Sequence, residues 1–211
     1  MRQELNSILV LAPHTDDGEF GCGGTIVKFI EKGSNVYYVA FSTAKRSLPN
    51  HLPKDTLEKE VRKAVDVLGI KKENLILFDY DVRTFPQFRQ EILEDMIKLK
   101  FAIKPDIVFL PSTFDTHQDH NVVSQEGFRA FKNTSMLGYE IPWNNLKFTN
   151  NCFSFLKKRH ISKKVDALKE YKSQLSRNYA SEEFVRSLAK TRGVQAGKEF
   201  AEAFEVIRWL I

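Results

Sequence analysis

Short apolar runs alternate with longer amphipathic stretches along most of the chain, and this alternation limits the folds open to it. Ser7-Ile-Leu-Val-Leu-Ala12 is apolar after its first residue and stops at Pro13, the pattern of a strand buried on both faces. Helix spacing follows from Thr25 to Lys32, with Gly33 just past its end. Val36–Phe41 is β-branched and aromatic, which predicts a second strand. Leu57, Val61, Ala64, Val65 and Leu68 share one helical face before Gly69. A third strand is expected at Leu75–Phe78, a helix from Phe88 to Ile103, a fourth buried strand at Asp106–Pro111 and a helix from Asp119 to Phe131. Beyond that point the segment to Phe155 is irregular. Amphipathic helices are predicted near Val165–Gln174 and Glu182–Ala196, and Phe204–Ile211 reads equally as a strand or a helix end.

This pattern predicts an α/β fold, a mostly parallel central sheet between two layers of helices with right-handed crossovers. At 211 residues, with no repeat or linker, the chain is expected to form a single domain over 1–211. No apolar run reaches the roughly 18 residues of a membrane span. Met1-Arg2-Gln3-Glu4 leads straight into a strand-like run, so no signal peptide is expected. Two cysteines, Cys22 and Cys152, make no disulfide framework, and a cytoplasmic location is expected. Cys22 lacks an activating base beside it and reads as a small buried residue.

The net charge of +5 is local in origin, because Lys157–Lys172 holds seven Lys/Arg against two Asp/Glu. Such a cluster suits an anionic partner or forms a solvated helix face. No nucleic-acid motif accompanies it, and no nucleic-acid partner is expected.

Three of the five histidines fall in two short segments, each directly after a predicted strand: Pro13-His14-Thr15-Asp16-Asp17-Gly18-Glu19 and Asp115-Thr116-His117-Gln118-Asp119-His120. In a parallel sheet both segments lie on the rim at the carboxyl ends of the strands, where open α/β sheets bind ligands. Catalytic zinc takes about three His or carboxylate ligands and leaves a place for water, whose pKa then falls to near ~7. His14, Asp17 and His120 are the expected ligands for one Zn2+ per chain. Asp16 is left over as a general base. His117 is expected to act as a cation toward the oxyanion or the leaving amine, with Asp119 holding its ring. Asp115 and Glu19 are read as capping or solvent-exposed residues. Gly21, Gly23 and Gly24 follow the first strand too late for a dinucleotide fingerprint, and no acidic residue after the second strand is placed to hold a ribose. These glycines are expected to let the loop pack closely and to start the helix.

Ala12-Pro-His-Thr-Asp-Asp-Gly-Glu19 with Gly21-Cys-Gly-Gly-Thr25, then His117-Gln-Asp-His120 with Val122-Val123, resembles the LmbE-like (PIG-L) de-N-acetylases. Tyr171-Lys-Ser-Gln174, Arg192-Gly193 and Glu199-Phe-Ala-Glu-Ala-Phe204 extend the likeness toward the C-terminus. The resemblance implies a Rossmann-like three-layer sandwich and zinc-dependent removal of acetyl from N-acetylglucosamine-type groups. It assigns His14, Asp17 and His120 to the metal, Asp16 to the base, and His117 with Asp119 to the oxyanion. Thr15 departs from the proline common in that family, without removing a ligand.

The expected substrate is an N-acetylated sugar or glycoconjugate, free, phosphorylated or nucleotide-linked. Arg46, Arg83 and Arg89 lie after the second and third predicted strands and are candidates to grip it, each equally readable as a surface ion-pair residue. Trp143 is a candidate sugar wall or core filling. Two rivals stand beside the hydrolase: an Fe(II) facial-triad enzyme, since two His and one carboxylate also suit iron, and a non-catalytic sugar- or nucleic-acid-binding module.

Overall fold

The computed structural model describes residues 5–211; the signal-peptide reading rests partly on Met1–Glu4, outside that range. Among the described residues, seven strands form one sheet in the order β3-β2-β1-β4-β5-β7-β6. Strands β1 (Ser7–Ala12), β2 (Asn35–Ala40), β3 (Leu75–Leu77), β4 (Ile107–Pro111) and β5 (Ser135–Tyr139) run parallel. β7 (Phe200–Arg208) runs antiparallel to both β5 and β6 (Cys152–Leu156). The expected α/β sandwich with a mostly parallel central sheet is therefore the fold.

Helices cover both faces. On one side α1 (Asp17–Glu31), α2 (Thr56–Leu68), α5 (Lys158–Lys169) and α6 (Glu182–Gln195) bury Ile8, Val10 and Phe109 with Ile26, Val61 and Ile161. On the other, α3 (Arg89–Ile103) and α4 (Gln118–Ala130) cover Leu9, Leu11, Val108 and Leu110. Each central strand thus sends alternate side chains into both cores, which is why it reads as an unbroken apolar run. Among the described residues no helix is long and apolar enough to cross a membrane.

From β1 the chain builds outward through β2 and β3 on one side, then returns through α3 to place β4 on the other, so the strand order reverses between β1 and β4. At such a switch point the loops after the two strands part and leave a crevice. The two histidine-bearing segments are those loops.

Sequence periodicity missed the far edge of the sheet. The irregular segment before Phe155 contains β5 and β6, and the ambiguous C-terminal stretch is the nine-residue β7. β5 is short and wholly buried, so it shows no alternation to distinguish it from a buried helical turn. α5 starts earlier than its apolar spacing implied, at Lys158, because its first turn is basic.

The glycines after β1 lie inside α1 rather than starting it. Cys22 is non-helical there, and the broken helix is sealed from outside. Glu202 on β7 accepts from Gly24 N (2.9 Å) and Thr25 N (2.7 Å), while Lys164 donates to Phe20 O (2.6 Å) and to Glu202 (2.8 Å). A Cβ on Gly21 would collide with the buried ring of Tyr139. An open helical site gains up to about 1 kcal/mol from Gly→Ala, but overpacking a core costs about 1–3 kcal/mol. Gly21→Ala should therefore lower the denaturant midpoint; a higher midpoint would contradict the close packing.

The basic cluster is mostly drawn into ion pairs within the chain. Lys158, Arg159, Lys164 and Lys169 pair with Glu199, Glu31, Glu202 and Glu182 respectively. Only the Lys164 pair is buried; Lys157, Lys158, Arg159, Lys163, Lys169 and Lys172 are exposed, as the solvated-face reading has it, and Lys157, Lys163 and Lys172 stand outside those pairs.

Candidate metal centre and its cleft

β1 ends at Ala12, and Pro13 carries the chain to His14 at the mouth of the crevice. Asp17 Oδ2 accepts from His14 N at 2.8 Å, which folds the loop into a tight turn before α1. From the other side, α4 starts at Gln118 with His117 as its cap: Asp119 N donates to His117 Nδ1 at 3.2 Å. His120 then lies one turn into the helix, facing the β1 loop.

Three donor atoms meet there. His14 Nδ1 lies 3.2 Å from Asp17 Oδ2, His120 Nε2 is 3.2 Å from the same oxygen, and the two ring nitrogens are 3.3 Å apart. Donors at the ~2.0–2.1 Å bond lengths of zinc, set on the corners of a tetrahedron, are separated by about 3.3 Å. The residues present therefore fit a tetrahedral cation with one position left over. The donor atoms of His14, His117 and His120 also lie within 4.8 Å of one another, a looser set that could hold an ion.

Two further carboxylates decide which ring nitrogens face the triangle. His14 Nε2 bonds to Asp119 Oδ2 at 2.9 Å, and His120 Nδ1 bonds to Asp115 Oδ2 at 2.8 Å. A carboxylate accepts, so each imidazole places its proton there and turns its other nitrogen's lone pair inward. Asp119 is itself held by Arg83 N (2.6 Å) and Phe85 N (3.3 Å), and Asp115 Oδ1 accepts from His117 N (2.9 Å).

This arrangement corrects three sequence readings. Asp119 supports His14 and contributes only its backbone N–H to His117. Asp115 accepts from His117 N ahead of α4 without being its cap, is buried, and orients His120. Glu19 is neither a cap nor exposed: it is fully buried against the hydroxyls of Tyr38 and Tyr171. Burial pushes its carboxyl up to about 8 against those hydrogen bonds. Only the fold could reveal these partners, which lie on β2 and after α5.

The electrostatics follow the same geometry. Burial opposes ionisation of Asp17, but the His120 and His14 rings outweigh it and hold the carboxyl far below its usual range. Burial likewise opposes charging His120, yet Asp17 and Asp115 raise it to about 10, so the inward lone pair is free for a cation only once the ring gives up its second proton. His117 is pushed down to about 4 by burial and by the two neighbouring histidines. At that value the ring is neutral near pH 7, where the sequence reading had a cation. A neutral His117 whose Nδ1 accepts from Asp119 N must carry its proton on Nε2, which makes that nitrogen a donor. Asp16 precedes α1, but its side chain makes no capping hydrogen bond. Burial, then the charge of Asp17, raises its carboxyl to about 6.

Around these groups opens a cleft of about 310 Å³. Arg83 and Trp143 line it, together with Gln174 of the C-terminal likeness and with Phe20, Asn144, Arg177 and Tyr179, which the sequence did not single out. Trp143 stacks on Tyr179 at 3.9 Å between ring centroids, with Phe20 edge-on to both. Arg46 and Arg89 do not line it: Arg46 pairs with Asp81 (2.7 Å), and Arg89 is held by Glu126 (2.5 Å) and Gln125 (2.9 Å). Both take the ion-pair alternative.

A carboxylate that orients a ligating histidine is worth about 10- to 100-fold in metal affinity. Asp115→Asn should weaken metal binding by that factor in a chelator competition; unchanged affinity would refute its orienting role.

The fold and the site together define a Rossmann-like α/β protein with a candidate metal centre at the switch point of its sheet. The chain belongs to the PIG-L family: the model described as PIG-L: GlcNAc-PI de-N-acetylase matches residues 9–131. It is 31% identical over 171 residues, 79% of this chain and 90% of the relative, to the uncharacterized deacetylase YaiS of Escherichia coli (strain K12). It is also similar to the diacetylchitobiose deacetylase of Thermococcus kodakarensis, at 24% identity over 97% of this chain and 84% of that protein. Among solved structures, N,N'-diacetylchitobiose deacetylase from Pyrococcus horikoshii, complexed with its inhibitor MPG, superposes with a TM-score of 0.82. That match has 22% identity and covers 96% of this chain and 84% of the other.

Proposed function

We propose that this chain is a zinc-dependent amidase that removes acetyl from an N-acetylated sugar or glycoconjugate, giving acetate and a free amine. The observation that carries the reading is the donor triangle of His14, Asp17 and His120, set beside an uncommitted carboxylate and a donor imidazole. Deacetylase relatives, two of them named for diacetylchitobiose, support the acetamido sugar as substrate.

His14, Asp17 and His120 would hold the metal, with Asp119 and Asp115 behind the two rings. A zinc ion supplies Lewis-acid polarisation and brings water to a pKa near ~7. Asp16, which lines the same cleft and is raised toward neutrality, takes the proton from the attacking water. The same carboxyl then returns it to the nitrogen of the departing amine, so the proton count closes over one turnover. Nε2–H of His117 donates to the carbonyl oxygen as negative charge develops there, a role that a neutral imidazole fills without a proton transfer. The Trp143–Tyr179 stack and Phe20 offer flat apolar faces for a sugar ring, and Arg83 and Arg177 offer donors for its oxygens. This wall takes the place of the set Arg46, Arg83, Arg89 and Trp143.

The test is acetate release from N-acetylglucosamine, diacetylchitobiose and a phosphorylated N-acetyl sugar by zinc-loaded protein. Release from at least one of them, abolished by a chelator and restored by zinc, is expected. No release from an N-acetylated sugar of any kind by protein shown to carry zinc would overturn the reading.

A further inference from the structure

The loop that carries both the proposed base and a proposed ligand is tied at one atom by groups the mechanism does not use. The carbonyl oxygen of Thr15, between His14 and Asp16, accepts from Tyr38 Oη at 2.8 Å and from Tyr171 Oη at 2.6 Å. Each hydroxyl has one proton, spent on Thr15 O, and both oxygens also lie against the Glu19 carboxyl, Tyr171 at 2.9 Å. Gly18 N donates to Tyr38 Oη at 3.1 Å. Thr15, Glu19, Tyr38 and Tyr171 are all at most 1% exposed.

The parts come from distant places. Tyr38 stands on β2 beside β1, Glu19 on the first turn of α1, and Tyr171 156 residues along the chain from Thr15, just after α5. A Cβ on Gly18 would lie 2.5 Å from the Tyr38 ring, so the hydroxyl reaches the loop only because this position is glycine. Thr15 has no ring to lock its φ, as a proline would have. The Thr15–Asp16 peptide plane is instead held through its oxygen, and the direction of that plane sets where Asp16 and Asp17 leave the backbone.

We infer that Tyr171 and Tyr38, bridged by Glu19, are positioning residues: they clamp the Thr15 carbonyl and so aim the Asp16 carboxylate and the Asp17 donor. The inference rests on the proposed roles of those two aspartates. A loop held only by its own hydrogen bond between Asp17 and His14 N could tilt about the Thr15–Asp16 peptide without losing the fold.

Tyr171→Phe removes one hydroxyl and keeps the buried ring, so it tests the clamp without opening a cavity. At saturating zinc, kcat should fall roughly 10- to 100-fold, the scale of a misplaced catalytic group, while KM stays within about twofold because the substrate wall is untouched. Zinc affinity, read by chelator competition without any substrate, should weaken roughly tenfold, as for other groups that orient ligands. The Asp16→Asn/Tyr171→Phe double variant should be no slower than Asp16→Asn alone, since a residue acting through Asp16 adds nothing once the base is gone. Tyr38→Phe should shift the same quantities in the same direction.

Unchanged zinc affinity in Tyr171→Phe would overturn the inference, as would a kcat loss that multiplies fully with that of Asp16→Asn. A lowered melting temperature with kcat and zinc affinity intact would also overturn it, leaving the hydroxyls a purely structural tie. Should the unaltered protein release no acetate, the proposed reaction fails, and zinc affinity alone still decides the clamp.

Discussion

Replacing Asp16 by Asn should lower acetate release by about 10²- to 10⁴-fold, the range that general-base help contributes, while the protein keeps its metal. Asn is close in shape and cannot take a proton. The side chain it replaces makes no capping hydrogen bond, so the start of α1 loses no support. Melting temperature should barely move, and removing a buried charge beside Asp17 could raise it slightly. Metal content by elemental analysis separates the possible failures. If Asp16→Asn loses metal, Asp16 and not Asp17 is the carboxylate ligand. If it keeps both metal and full activity, the base lies elsewhere in the cleft.

The second large effect concerns which residues hold the metal. His120→Ala should abolish stoichiometric zinc binding and reduce activity to background, because it removes a corner of the 3.2–3.3 Å triangle and strands the Asp115 carboxylate in a buried site. Asp17→Ala should do the same. His117→Ala should keep about one zinc per chain and lose roughly 10²–10³ in kcat, the usual cost of an oxyanion donor. Loss of zinc in His117→Ala with retention in Asp17→Ala would instead select the looser three-histidine set. Iron in the purified protein, with oxygen consumption and a 2-oxo-acid requirement, would favour the facial-triad chemistry open to the same ligands. Absence of metal in the unaltered protein, even after zinc is added back, would leave the binding-module reading.

Much of this site is legible in the linear sequence, because its two halves are short, local and rich in uncommon residues. His14, Asp17 and His120 stand out by type, and the strands ahead of them stand out as apolar runs. Where the reading failed, the missing information was a partner distant in sequence. Asp119 seemed to serve His117, two residues away; in the fold it turns across the crevice to His14, 105 residues distant. The arginines show the same limit. Arg83 and Arg89 follow the same strand, yet only Arg83 reaches the cleft. Its backbone adopts φ = 69° with its N–H on Asp119, while Arg89 opens α3 and is captured by Glu126.

By itself the sequence determined the quantities set by local pattern: the alternation of strands and helices, the glycine ends of α1 and α2, and two donor-bearing loops at strand ends. These follow from side-chain periodicity and backbone sterics within a few residues. The tertiary structure alone decided the orientation of each imidazole, the protonation of His117, the meeting of two tyrosine hydroxyls on the Thr15 carbonyl and the makeup of the cleft wall. Each of those depends on a hydrogen bond or a burial supplied by another element. Such interactions have strength only at contact distance in a water-poor site, so a linear pattern carries no trace of them until the chain has packed.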